Sequence, residues 1–143
     1  MSGIIGGAGS KSGVIGTTEL DYEEGEWIVA LGGTSESLGN TTGHYTKIGK
    51  RVFFDYYSGG STLGSSSGDA SFNLPFTAAT GNGSPHPVFT YLHGNAVDGS
   101  SKGGYVAQGD SAAYFIDDGN YVISTYIDGS SKFMMVSGNY FIA

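Results

Sequence analysis

The chain has 143 residues, six Lys and Arg against 13 Asp and Glu, a formal charge of −7 and no cysteine. That length fits one domain with a real core; the charge opposes nucleic acid and anionic membrane surfaces, and the missing thiols exclude a disulfide framework or a thiolate metal site. Twenty-six glycines, ten tyrosines and eight phenylalanines suit turns and half-buried pleated surfaces rather than helices, and no window carries a helical apolar stripe. The fold class expected is therefore all-β: one antiparallel β-sandwich or jelly-roll-like domain over residues 20–143, preceded by an extended glycine-rich arm over 1–19.

No apolar period runs through the arm, GIIGGAGSKSGVIGTT, so it cannot bury itself and calls for a partner surface. Ile4, Ile5, Val14, Ile15, Leu20, Tyr22 and Trp27 are the residues assigned to assembly and anchoring. The start of the chain shows no basic stretch followed by an apolar core of a signal peptide, and no apolar run reaches the roughly 18 residues of a membrane span. The expectation is a soluble protein without membrane insertion, which, if it works outside its cell of synthesis, leaves by lysis or as cargo.

The first strand expected is Trp27–Leu31, closed by Gly32 and Gly33, with a polar loop from Thr34 to Gly43. Tyr45–Ile48 and Arg51–Tyr57 read as a hairpin turning at Gly49-Lys50. Ser58 to Gly68, small and polar throughout apart from Thr62 and Leu63, reads as a loop. Ala70–Leu74 alternates and is ended by Pro75 or set at an edge. Residues 78 to 87, with two glycines and two prolines, form another loop. Further strands are expected at Val88–Leu92, Tyr105–Gln108, Ser111–Ile116, Tyr121–Ile127, Lys132–Ser137 and Tyr140–Ile142, with turns at Asp118-Gly119-Asn120, Asp128-Gly129 and Gly138-Asn139. Val97-Asp98-Gly99-Ser100-Ser101-Lys102 recurs as Ile127-Asp128-Gly129-Ser130-Ser131-Lys132, read either as two hairpin turns of the same chemistry or as equivalent loops at one end of a sandwich.

The run Ser10-Lys11-Ser12-Gly13-Val14-Ile15-Gly16-Thr17-Thr18-Glu19-Leu20-Asp21-Tyr22-Glu23-Glu24-Gly25, followed by Trp27, resembles a recurring module of tailed-bacteriophage structural proteins, especially those of marine phages. There it precedes a compact β domain, often at the end of a fibre-like protein. Gly43–Val52 and Leu74-Pro75-Phe76-Thr77 are similar to the family's next two landmarks, in the same order. Leu74 and Phe76 are expected to turn inward, and Gly43 and Gly49 to act as turn glycines. Where the family has threonine and proline around the tryptophan, this chain reads Glu26-Trp27-Ile28-Val29, and a proline-free segment suits a more interior strand.

The chemistry-bearing residues offer weaker alternatives. Glu19, Asp21, Glu23, Glu24 and Glu26 crowd together, and on an extended backbone Glu19, Asp21 and Glu23 share one face. They fit a Ca²⁺ site, although no EF-hand pattern surrounds them, or a solvated acidic stretch, or an inter-subunit salt-bridge surface facing Lys11, Lys47 or Arg51. Asp110, Asp117 and Asp118 are the carboxylates available to a glycosidase, but Asp118-Gly119-Asn120 is the better turn. His44, His86 and His93 lack zinc spacing, and the glycine-rich opening lacks the strand, the Gly-Lys-Ser/Thr ending and the helix of a phosphate loop. Tyr56, Tyr57, Tyr91, Tyr105, Tyr114, Tyr121, Tyr126 and Tyr140, set among Ser, Asn and Gly loops, suit either glycan or protein binding or packing. Tyr91, His93, Asp98, Lys102, Tyr105, Asp128 and Lys132 are the candidate binding surface. No catalytic residue, metal or cofactor is assigned.

The resemblance and the arm imply a non-enzymatic virion protein: a homo-oligomer, expected as a trimer, in a tail fibre or appendage. Its arm would meet other virion proteins and its loops a host-surface glycan or protein. The alternatives are a capsid decoration protein whose arm laces across capsomers and, distantly, a glycan-processing enzyme.

Overall fold

The computed structural model describes residues 21–32, 34–65, 68–81, 87–93, 103–117, 120–121 and 129–143. They form eleven strands: β1 Tyr22–Ile28, β2 Leu31–Gly32, β3 Thr34–Ser37, β4 Thr42–Ile48, β5 Arg51–Ser65, β6 Ser71–Asn73, β7 Val88–His93, β8 Gly103–Val106, β9 Ala112–Asp117, β10 Asn120–Tyr121 and β11 Gly129–Phe141. Every pairing between them is antiparallel, and among the described residues there is no helix. The all-β class follows as composition requires.

The strands run in the order β1-β4-β5-β11-β7-β8-β9-β6-β2, with β3 on β5 and β10 on β9. Two opposed layers arise because this one continuous sheet curls over on itself. Phe54 on β5 meets Phe72 on β6, five places along the sheet, at 5.7 Å between ring centroids. The Trp27 indole N–H on β1 donates to the Asn73 carbonyl on β6 at 3.1 Å. Asn73 then holds the chain leaving β1: its Nδ2 donates to the Ile28 carbonyl (2.8 Å) and its Oδ1 accepts from the Ala30 N–H (2.7 Å).

Burial alternates with period two, as pleated strands demand. On β5, Val52, Phe54, Tyr56 and Ser58 point inward while Arg51, Phe53, Asp55 and Tyr57 point out. The core is aromatic: Phe54, Phe72, Phe89, Phe115 and Tyr140 are at most 3% exposed, and Phe89 contacts Phe54, Phe72 and Phe115 at 5.1–6.2 Å. Edge-to-face pairs of this kind add to the gain from area burial.

Tyr140 is fully buried, and its hydroxyl donates to the Phe76 carbonyl (2.9 Å) and accepts from the Phe76 N–H (3.0 Å). Burial pushes its phenol well above the ordinary tyrosine range. Tyr140→Phe strands both Phe76 backbone groups, and chemical denaturation should show a loss of about 1–3 kcal/mol; a neutral result would mean that water reaches Phe76.

Several expected boundaries move. The first strand begins at Tyr22, so the acidic residues Glu23, Glu24 and Glu26 are themselves in strand, and the polar segment from Thr34 contains β3. β1 ends the hydrogen-bonded order, so the proline-free tryptophan segment forms an outer strand rather than an interior one.

The expected loop after Ser58 is instead the second half of β5, paired with β3 and β11. It continues because Ser58 and Ser61 are buried with their Oγ atoms 2.6 Å apart and accept the N–H groups of Asn40 (3.3 Å) and Gly39 (3.2 Å). The register shifts against β11 between Ser58 and Ser61, where Gly60 takes φ +68°, a bulge that only glycine enters easily.

The expected turn at Gly138-Asn139 is also absent. These residues pair with Phe54 and Phe53 in the middle of β11, and the inward phase of Met134 and Val136 passes through to Tyr140. Gly138 serves close approach: a Cβ there would lie 2.6 Å from the Phe89 Cβ and 2.8 Å from the Phe54 Cζ. The hairpin at Gly49-Lys50 holds, with Ile48 opposite Arg51 and Gly49 at φ +58°. Of the expected turn at Asp118-Gly119-Asn120, Asp118 and Gly119 lie outside the described residues, and Asn120 pairs with Asp117.

Candidate functional site

The acidic segment and the Gly43–Val52 landmark are the two strands of one pair, β1 and β4. On its inner face the register sets Glu23 opposite Lys47, Gly25 opposite Tyr45 and Trp27 opposite Gly43. Each aromatic lies over the glycine across from it. A Cβ on Gly43 would meet the Trp27 ring at 2.4 Å, and one on Gly25 would meet the Tyr45 ring hydroxyl at 2.5 Å. The third landmark packs on the same unit: Leu74 is buried, and Phe76 meets the Tyr45 ring edge-on at 5.0 Å.

Charge finishes this unit. Lys47 Nζ donates to Asp21 Oδ1 (2.9 Å) and to Glu23 Oε2 (3.2 Å), and the Tyr45 hydroxyl donates to Glu23 Oε1 (2.7 Å). The expected salt-bridge partner Lys47 therefore serves its own chain. Arg51, the other described candidate, bonds Asn139 Oδ1 through Nε (3.0 Å) and stacks over Phe141 at 4.8 Å. An ammonium thus stands between Asp21 and Glu23, and no group of three metal ligands occurs among the described residues.

The hydrogen bond from Tyr45, then the Lys47 ammonium, hold the Glu23 carboxyl below its ordinary value. Asp21 chiefly holds Lys47 above its own. A depressed carboxyl contributes stability above the unfolded value of about 4.3 and loses it as pH falls through the folded value. Glu23→Gln should therefore lower the melting temperature at pH 7 and flatten its decline between pH 5 and pH 3. Parallel curves for variant and parent would refute the linkage.

Of the residues assigned to assembly, Ile4, Ile5, Val14, Ile15 and Leu20 lie outside the described residues. Tyr22 is 54% exposed on the outer face of β1, where its hydroxyl bonds Glu24. Trp27 is a correction: it is 8% exposed, within the core, so its indole closes the curled sheet instead of offering a free anchor.

Of the candidate binding residues, Asp98, Lys102 and Asp128 lie outside the described residues. Tyr91 and His93 stand on β7 opposite Val136 and Met134, and Lys132 stands on β11 opposite Ser61. Tyr105 stacks on Tyr114 at 5.8 Å. Asp110, the acid considered for glycosidase chemistry, closes a turn: its carboxylate accepts the N–H groups of Ser111 and Ala112 and the Tyr114 hydroxyl at 2.7–3.2 Å.

Among the described residues a concavity lies elsewhere, on the outer face of β4, β5, β11 and β7. It is a trough of about 630 Å³ bordered by Asn40, Thr42, His44, Asp55, Tyr57, Thr90, Met135 and Ser137, within the usual range of ligand sites, about 300–1,000 Å³. Asn40 fixes one end, with Nδ2 donating to the Tyr57 carbonyl (2.7 Å) and Oδ1 accepting the Thr42 N–H (3.1 Å). His44 Nδ1 lies 3.6 Å from Glu26 Oε1.

No family model, curated protein or solved structure matches this chain. Its site is therefore read from its own geometry. Sequence reading missed the trough because its residues come from four strands and meet only through register. The available signal was Arg51–Tyr57, where aromatics occupy both phases of the alternation: a strand with Phe53 and Tyr57 on its outer side presents more than a solvated face.

Proposed function

We propose that this chain is a non-enzymatic structural protein of a bacteriophage virion, part of a tail fibre or related appendage that touches the host surface. The single observation that carries the reading is that the described end of the first run resembling phage structural proteins comes together with the other two as one unit. Glu23, Gly25 and Trp27 of the first lock against Lys47, Tyr45 and Gly43 of the second, and Phe76 of the third closes on Tyr45. Each residue in that unit is used for packing or charge pairing, which is the work of a scaffold.

In this reading residues 1–19 are the anchoring arm. They lead into Asp21, whose carbonyl accepts the Gly49 N–H at 2.6 Å, and from there into β1 at the end of the strand order. An arm that enters an outer strand can reach a neighbouring copy or another virion protein without crossing its own domain. The protein assembles as a trimer, enters particles in the host cytoplasm and is released by lysis.

Deleting residues 1–18 should leave a domain that melts cooperatively, because Trp27 to Ile142 supply an aromatic core of their own, yet fails to enter particles. Incorporation at the parental level would contradict the anchoring role.

A further inference from the structure

The register across the outer face sets two rows side by side. His44 stands opposite Asp55, Asp55 opposite Ser137 and Ser137 opposite Thr90, giving a row of hydrogen-bonding side chains across four strands. In the adjacent row Tyr57 stands opposite Met135, and these are 53% and 43% exposed. Tyr57 leans along its own strand over Gly59, where a Cβ would come within 2.6 Å of its hydroxyl and 3.2 Å of its Cζ. The bare glycine lets the ring lie down along its strand, and Tyr57 is one of the residues that line the trough.

An apolar platform beside a line of hydroxyl, carboxylate and imidazole groups matches a pyranose ring. Its C–H face stacks on an aromatic ring while its hydroxyls, each both donor and acceptor, bond groups at the side. The charge narrows the class. A neighbouring pocket of about 390 Å³ shares His44 and Asp55 with the trough and adds Glu24 and Glu26. Carboxylates at that border, in a chain of net charge −7, repel phosphates, uronates and sialic acids.

We infer that this trough binds a neutral oligosaccharide, with Tyr57 and Met135 as platform and His44, Asp55, Ser137 and Thr90 as its hydrogen-bonding side. The inference rests on the host-contacting reading above for where such a sugar is met.

The test is saturation-transfer NMR on the full chain with maltotriose, cellotriose and N,N′,N″-triacetylchitotriose, with trigalacturonic acid as the anionic comparison. At least one neutral trisaccharide should bind. Tyr57→Ala and Asp55→Ala should each weaken it about tenfold or more with cooperative melting retained, and Tyr22→Ala on the outermost strand should leave it unchanged. No transfer to any neutral sugar, binding that survives both trough substitutions, or preference for the uronate would overturn the inference. So would a change of oligomeric state in Tyr57→Ala, which would give the face to a second copy. Particle association is measured separately and decides only the virion reading.

Discussion

Phe54→Ala should cost about 3–5 kcal/mol, the range for truncating a buried phenylalanine, and lower the melting temperature by roughly 10–20 °C for a chain of this size. Phe54 is 1% exposed and meets Trp27, Phe72, Phe89 and Tyr140 within 6.4 Å between centroids. Those partners come from four other strands, so the side chain joins the two flanks of the curled sheet and its loss opens a cavity on every side. The neighbouring Phe53→Ala is the control. Phe53 is 40% exposed on the outer face, near the Arg51 guanidinium at 5.7 Å, and its truncation should cost less than about 1 kcal/mol. A register slipped by one residue would exchange the two results.

Gly138→Ala should destabilise by about 3 kcal/mol, the upper part of the range for overpacking. The added methyl meets the Phe89 Cβ at 2.6 Å, and that atom is tied to its backbone and cannot swing away; on its other side the Phe54 ring stands at 2.8 Å. Gly49→Ala provides the contrast. Gly49 has φ +58° with nothing within 4 Å of an added Cβ, so the cost is conformational alone, about 1–2 kcal/mol. If Gly138 were a turn residue, its replacement would resemble that of Gly49. Equilibrium denaturation of the two variants separates the cases.

Gly138 also shows what the sequence made legible and what it hid. The all-β class followed from the aromatic and β-branched bias and the absence of a helical stripe, and the hairpin at Gly49-Lys50 from local turn chemistry. Both are properties of short windows. The role of Gly138 depends on Phe54 and Phe89, distant in the chain, so its glycine looked like a turn. Ser58 and Ser61 misled for a related reason: small polar residues suggest a loop until their hydroxyls find each other and the N–H groups of Gly39 and Asn40. A buried polar pair is legible only with its partners.

The site divides in the same way. Lys47 stood among the expected partners of the acidic segment, and charge alone suggested it. The trough was hidden because its rows form only when four strands take their register, and no one segment carries its pattern. Trp27 sat in a run read as an anchor, yet its bulk was needed opposite Gly43 and its N–H at Asn73. The acidic segment from Tyr22 therefore reads as part of the domain, which leaves the proposed anchoring role to the residues before it.

The measurement that tests the central claim most directly is low-resolution electron microscopy of phage particles carrying this chain with a bulky label on an exposed residue such as Val88, 76% exposed on β7. Label density is expected on the tail or its appendages, in tens of copies or fewer per particle. Label spread over the capsid in hundreds of copies would make the protein a head decoration, and its absence from purified particles would contradict the virion assignment itself.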